Sequence, residues 1–118
     1  MSSLHESLHE VTAVEGVRIA ALIDIATGMI VRSAGKVSTD LSVVAACLAD
    51  EVRAVRNGSA GADLDEIAVV TDTRLHLSRV LRSQPGEGLL LFVDVERSKS
   101  NVALASLQVG RLAPAVLA

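Results

Sequence analysis

Val17-Arg18-Ile19-Ala20-Ala21-Leu22-Ile23-Asp24 leads through Ile25-Ala26-Thr27-Gly28 into Met29-Ile30-Val31-Arg32-Ser33-Ala34. Two runs of strand length flank a Thr-Gly pair with the chemistry of a reversal, and the stretch reads as a β-hairpin. The first run is largely apolar and reads as a buried strand. Gly35-Lys36 breaks the pattern again, and the hairpin ends there.

Downstream, Ser38, Thr39 and Asp40 offer three good N-caps in a row. A helix follows from about Asp40 to Arg56, stopped by Asn57-Gly58. Leu41, Ala45, Leu48, Val52 and Val55 form one face at helical spacing. Val43, Ala46, Cys47 and Ala49 form a second apolar surface around the first two turns. A surface helix needs one apolar face; a helix apolar on two sides packs against two bodies. One is its own sheet, and a second subunit is the natural candidate for the other.

Asn57 to Asp63 is a small, polar connection. Glu66 to Thr71 reads as a strand, Asp72-Thr73 as a short turn and Leu75 to Leu81 as another strand. Arg79 falls where that strand should be apolar, which predicts one exposed face or a bulge. Gln84-Pro85-Gly86-Glu87-Gly88 is a turn. Leu89 to Val95 is the most hydrophobic run and suits a central strand covered on both faces. Residues Ser98 to Asn101 can cap a last helix, roughly Asn101 to Leu112, before Pro114.

Upstream, Ser3 and Glu6 form a capping box for a first helix. Its stripe is Leu4, Leu8 and Val11, and Glu15-Gly16 closes it. The order α-β-β-α-β-β-β-α predicts an α/β (α+β) domain spanning residues 1–118. Its natural packing is a single five-stranded, mainly antiparallel sheet with helices on both faces.

Composition removes several function classes. Half of the 118 residues are hydrophobic, so the chain can build a core, and Phe92 is its one aromatic residue. Stacking on nucleic-acid bases is thereby excluded as a mechanism. The net charge is -3 with scattered basic residues, which is not the footprint of a nucleic-acid binder. No apolar stretch approaches the roughly 18 residues of a membrane span, and the N-terminus does not look like a signal peptide. A cytoplasmic protein is the expectation. Cys47 is the one cysteine, so no intramolecular disulfide forms, and its apolar neighbours favour packing over reactivity.

His5-Glu6-Ser7-Leu8-His9 matches H-E-x-x-H, in which two imidazoles on one helix face hold zinc and the glutamate acts as general base. Here no third ligand follows at a recognised spacing, and the stripe Leu4, Leu8, Val11 explains the helix by packing alone. Arg74, Arg79 and Arg82 lie along one strand; charged residues commonly protect strand edges. Asn57-Gly58-Ser59-Ala60-Gly61 lacks the lysine of a phosphate loop, so nothing calls for a cofactor. Asp24 is a turn residue.

The element order, with Gly16-Val17-Arg18-Ile19-Ala20-Ala21-Leu22-Ile23-Asp24, Thr27-Gly28-Met29-Ile30 and Gly88-Leu89-Leu90-Leu91-Phe92-Val93, resembles the Roadblock family. These are the dynein light-chain-type domains that also occur widely in bacteria. Longin and profilin-like sheets share much of this layout. The resemblance covers about Leu4 to Leu112. It implies a homodimer, or a heterodimer with a related subunit, whose central helices lie side by side and whose third strands pair into one continuous sheet. It also implies a scaffold or regulator of a small Ras-like GTPase. By that likeness Val43, Ala46, Cys47 and Asp50 line the dimer seam, Ile67 and Val69 sit in the pairing strand, and Glu51, Arg53 and Arg56 face a partner. Two other classes stand beside this reading. A small-ligand sensor needs a cavity with convergent polar groups, and the apolar runs promise few buried polar residues. A zinc-dependent hydrolase through His5, Glu6 and His9 is the third.

Overall fold

The computed structural model describes residues 4–36, 40–58, 63–82 and 88–116. The Ser3 cap, the Ser38-Thr39 caps and most of the Pro85-Gly86 turn lie outside them. The elements are α1 (Leu4–Thr12), β1 (Val17–Asp24), β2 (Ile30–Gly35), α2 (Leu41–Gly58), β3 (Glu66–Val70), β4 (Arg74–Leu81), β5 (Leu89–Glu96) and α3 (Val102–Leu112). The order is the expected one.

The five strands form one sheet in the order β2-β1-β5-β4-β3, and every neighbouring pair is antiparallel. The apolar run Leu89 to Val95 takes the central place. Its residues from Leu90 to Val95 are all buried, because helices cover both faces.

One row across the sheet is Ala34, Ala20, Val93, Leu77 and Ala68. Its central members join Leu8 and Val11 of α1 and Ala105 and Val109 of α3 in one core layer. The next row, Ser33, Ala21, Phe92, Ser78 and Ile67, faces the other way. There Ala21 and Phe92 join Leu41, Ala45, Leu48, Ala49 and Val52 of α2. The single aromatic ring thus lies between the small side chains Ala21 and Ser78, with the His76 ring edge-on at 5.4 Å.

Local chemistry sets the joints. Asp24 accepts from Ala26 N and Thr27 Oγ1, both at 3.1 Å, so it builds the β1–β2 turn. Asn101 caps α3, its side chain accepting from Leu104 N at 2.9 Å.

Two expectations are corrected. β4 has neither an exposed face nor a bulge in its pairing with β5, which runs unshifted from Arg74 to Leu81. Arg79 is accommodated in the α3 layer: its guanidinium lies 3.8 Å from Glu66 of β3, and Ser106 of α3 donates to the same carboxylate at 3.0 Å. Gly110 leaves the room, since a Cβ there would stand 3.4 Å from Arg79 Nη2. Ala49 belongs to the sheet-facing side of α2 and is fully buried.

Candidate interaction surface

The outer side of α2 carries the residues named from its pattern. Ser42, Val43, Ala46, Cys47, Asp50 and Ala54 are all exposed, and Val43 stands 63% in solvent. Spacings of three and four place Val43, Ala46, Cys47 and Asp50 on one stripe. The first two turns of that stripe offer a valine, an alanine and a thiol. A solvent-facing helix side ordinarily carries charged residues instead.

Backbone contact holds α2 in place. Gly28 sits in the β1–β2 turn at φ +76°, and a Cβ on it would lie 3.2 Å from the Cα of Ala46. Arg53 reinforces this joint from the far side. Its Nη1 donates to Ile25 O and, at 3.2 Å, to Ala26 O, while Nη2 pairs with Asp50. The Arg53 guanidinium is therefore occupied in tying helix to hairpin.

β3 is an edge strand. Ile67 packs into the α2 layer, and Val69 follows on the same face, 42% exposed. Val70 points to the opposite face, 49% exposed. Among the described residues no strand lies beside the outer backbone of β3, the arrangement that invites pairing with another chain. The α2 stripe, Ile67 and Val69 thus belong to the same face of the sheet, and β3 forms an edge of that sheet. Of the residues assigned to a partner, Glu51 is exposed and Arg56 donates through Nε to Asp63 at 3.0 Å.

Asp63 also accepts from Arg82 at 2.6 Å, and Arg82 reaches Asp65 and Leu64 O as well. These bonds, Arg82 first and then Arg56, lower the Asp63 pKa to about 2. The network fastens the lead into β3 across the end of β4. The three arginines of the β4 region consequently serve separate places: Arg82 at this clasp, Arg79 under α3, and Arg74 on the α2 face near Asp94.

On α1, Glu6 and His9 are exposed while Ser7 and Leu8 are buried. The side chain of His5 lies outside the described residues. No group of three metal-binding side chains occurs among the described residues.

Sequence reasoning missed a polar cleft under the start of α2. Arg74, His76 and Asp94 occupy alternate positions on β4 and β5 that face the helix, and they line a cavity of about 300 Å3 together with Arg18, Lys36 and Asp40. The signal was present in Arg74-Leu75-His76-Leu77, where polar residues alternate with buried leucines. Its reading requires knowing that a helix covers the polar side. Buried polar residues are few among the described residues, as expected, and Asp94, 9% exposed, is one of them.

No family model and no curated protein matches the sequence. Solved structures do match. The chain superposes on MglB of Myxococcus xanthus with TM-score 0.77 at 16% identity, covering 94% of this chain and 89% of that one. A Roadblock/LC7 domain from Streptomyces avermitilis gives 0.75 at 18%, covering 98% and 95%. An MglB with a tetrameric arrangement gives 0.77 at 19%, covering 98% and 89%. The fold is the Roadblock fold. No helix among the described residues is long and apolar enough to cross a membrane.

Proposed function

We propose that this chain, built on the Roadblock fold, is a homodimeric interaction module that binds a small Ras-like GTPase and regulates or localises it in the cytoplasm. The carrying observation is the pairing of an outward apolar stripe on α2 with an open β3 edge on the same side of the sheet. A monomer would leave Val43, Ala46, Cys47 and Val69 in water. A second copy laid against the first would cover them and continue the sheet through β3. The tetrameric arrangement of a similarly folded MglB supports self-association.

The GTPase enters through the Roadblock resemblance, and surface complementarity, not chemistry, is the mode of action. Glu51 offers an exposed charge beside the seam. Arg53 and Arg56 act within the chain first, Arg53 bound to the hairpin and Asp50 and Arg56 held through Nε by Asp63, with its terminal nitrogens left for a partner.

Light scattering on the purified chain tests the dimer. The expected mass is twice 12.3 kDa, maintained on dilution, and Val43→Asp should reduce it to that of a monomer while the far-UV circular dichroism stays unchanged. A monomeric wild type would refute the homodimer. Affinity purification from a lysate loaded with GTP or GDP analogues tests the partner. Retention of a GTPase in one nucleotide state indicates a regulator, equal retention a scaffold, and none at all sinks the reading.

A further inference from the structure

The polar floor of the cleft under α2 sits in a costly place. On the same face of the sheet, Ile19, Ala21, Ile23, Val80 and Leu90 are buried apolar residues. Arg74, His76 and Asp94 interrupt this layer near the start of α2. Burying charge is tolerated when close pairing compensates, and here the pairing is loose. Arg74 Nη1 lies 3.5 Å from Asp94 Oδ2, and His76 Nε2 lies 3.6 Å from Oδ1. Asp94 Oδ1 is buried without a hydrogen-bond partner. Contacts this long leave most of the guanidinium donors uncommitted.

The backbone is deformed to add another cation. Pairing between β1 and β5 shifts between Val17 and Ile19, and this bulge turns the consecutive side chains of Arg18 and Ile19 toward the same cleft. Bulges re-aim side chains in this way beside functional sites. The opposite strand accommodates it through Gly35, at φ +93°, where a Cβ would stand 2.1 Å from Arg18 O. Arg18 itself is only loosely held, 3.7 Å from Glu96. Lys36, next in the chain, is exposed and has no ion pair among the described residues.

We infer that this cleft is a binding site for a small organic oxyanion, a carboxylate- or phosphate-bearing molecule. Arg18, Lys36 and Arg74, from three strand ends, line it with Asp40 at the rim and Asp94 in the floor, and the anion takes the donors of Arg18 and Arg74 that Glu96 and Asp94 leave open, together with Lys36. Guanidinium groups recognise such oxyanions through paired, charge-assisted bonds. The Phe92 and His76 rings, with Val44 of α2, supply a wall for the carbon skeleton. A volume of about 300 Å3 is at the small end of ligand sites and suits a metabolite of few heavy atoms. Binding here is independent of the GTPase reading.

The test is a 15N–1H NMR titration of the full chain with inorganic phosphate and, separately, with succinate, chloride replacing each at constant ionic strength. Saturable shifts clustered at Arg18, Lys36, Val44 and His76 are expected with at least one probe, and the probe that saturates identifies the headgroup. Lys36→Gln, an exposed change that leaves the core alone, and Arg74→Met, which keeps the packed stem, should each weaken binding about tenfold. Arg111→Gln, on the opposite face, should leave it unchanged. Shifts that grow linearly with both probes, or that survive undiminished in folded Lys36→Gln and Arg74→Met, overturn the inference.

Discussion

A Cβ placed on Gly28 would lie 3.2 Å from the Cα of Ala46, so the β1–β2 turn and α2 meet backbone to backbone. Gly28→Ala therefore meets two obstacles, the left-handed φ of +76° and the helix itself. The conformational part alone costs about 1–2 kcal/mol. Thermal unfolding should show a fall of several degrees in Tm. An unchanged Tm would mean that the turn can withdraw from α2.

Acid should loosen the clasp around Asp63. Its carboxyl is held at about 2 against an ordinary 3.8, chiefly by Arg82 and then Arg56. A depressed carboxylate contributes stability above its unfolded pKa and loses it as pH falls through the folded value. The contribution is thus complete above about pH 4 and fades toward pH 2. In Arg82→Ala the Asp63 pKa should rise toward the ordinary value in an NMR titration. The stability gap between wild type and variant should narrow across the same window, and a gap constant from pH 5 to 2 would contradict this assignment.

Glu66 and Arg79 should show strong coupling. Replacing Glu66 alone by Leu leaves the partly buried guanidinium of Arg79 facing apolar neighbours, at a cost of about 1–3 kcal/mol. Replacing both by Leu removes the desolvated pair and should recover most of that loss. Urea unfolding of the two single variants and the double variant measures it. Additive losses would show that the two side chains act independently.

Ser78 is fully buried, and its hydroxyl has no partner. Ser78→Ala should raise stability by about 1 kcal/mol, since an unpaired hydroxyl is removed at little change in volume. Denaturant titration gives the sign directly, and a loss would reveal a hydrogen bond that the hydroxyl makes in solution.

The strands were legible in the sequence to within a residue or so, because each is bounded by turn chemistry and filled with apolar residues. Leu89 to Val95 announced its central position through its unbroken hydrophobicity. Arg79 was misleading. A single arginine among leucines resembles an exposed face until Glu66 and Ser106, distant in sequence, are brought beneath α3. Ala49 was assigned to the wrong side of its helix because alanine fits either side, and only the close approach of the hairpin turn decides it. The polar cleft stayed hidden for a related reason. Arg18, Lys36, Arg74, His76 and Asp94 come from four strand ends, and strand register is not written in the periodicity of any one of them. Arg18 in particular owes its direction to a bulge, which breaks the alternation that sequence reading relies on.

The central strand is also the last of the described strands to be made. β5 pairs with β1, whose residues precede it by some seventy positions, and with β4. During synthesis the β1–β2 hairpin and the β3–β4 pair emerge first, each missing the neighbour that joins them. Until Glu96 has left the ribosome the sheet is in two pieces with their inner edges open, and both core layers lack their middle. The nascent chain therefore carries an aggregation hazard until β5 emerges, and closure of the sheet is a long-range and comparatively slow event.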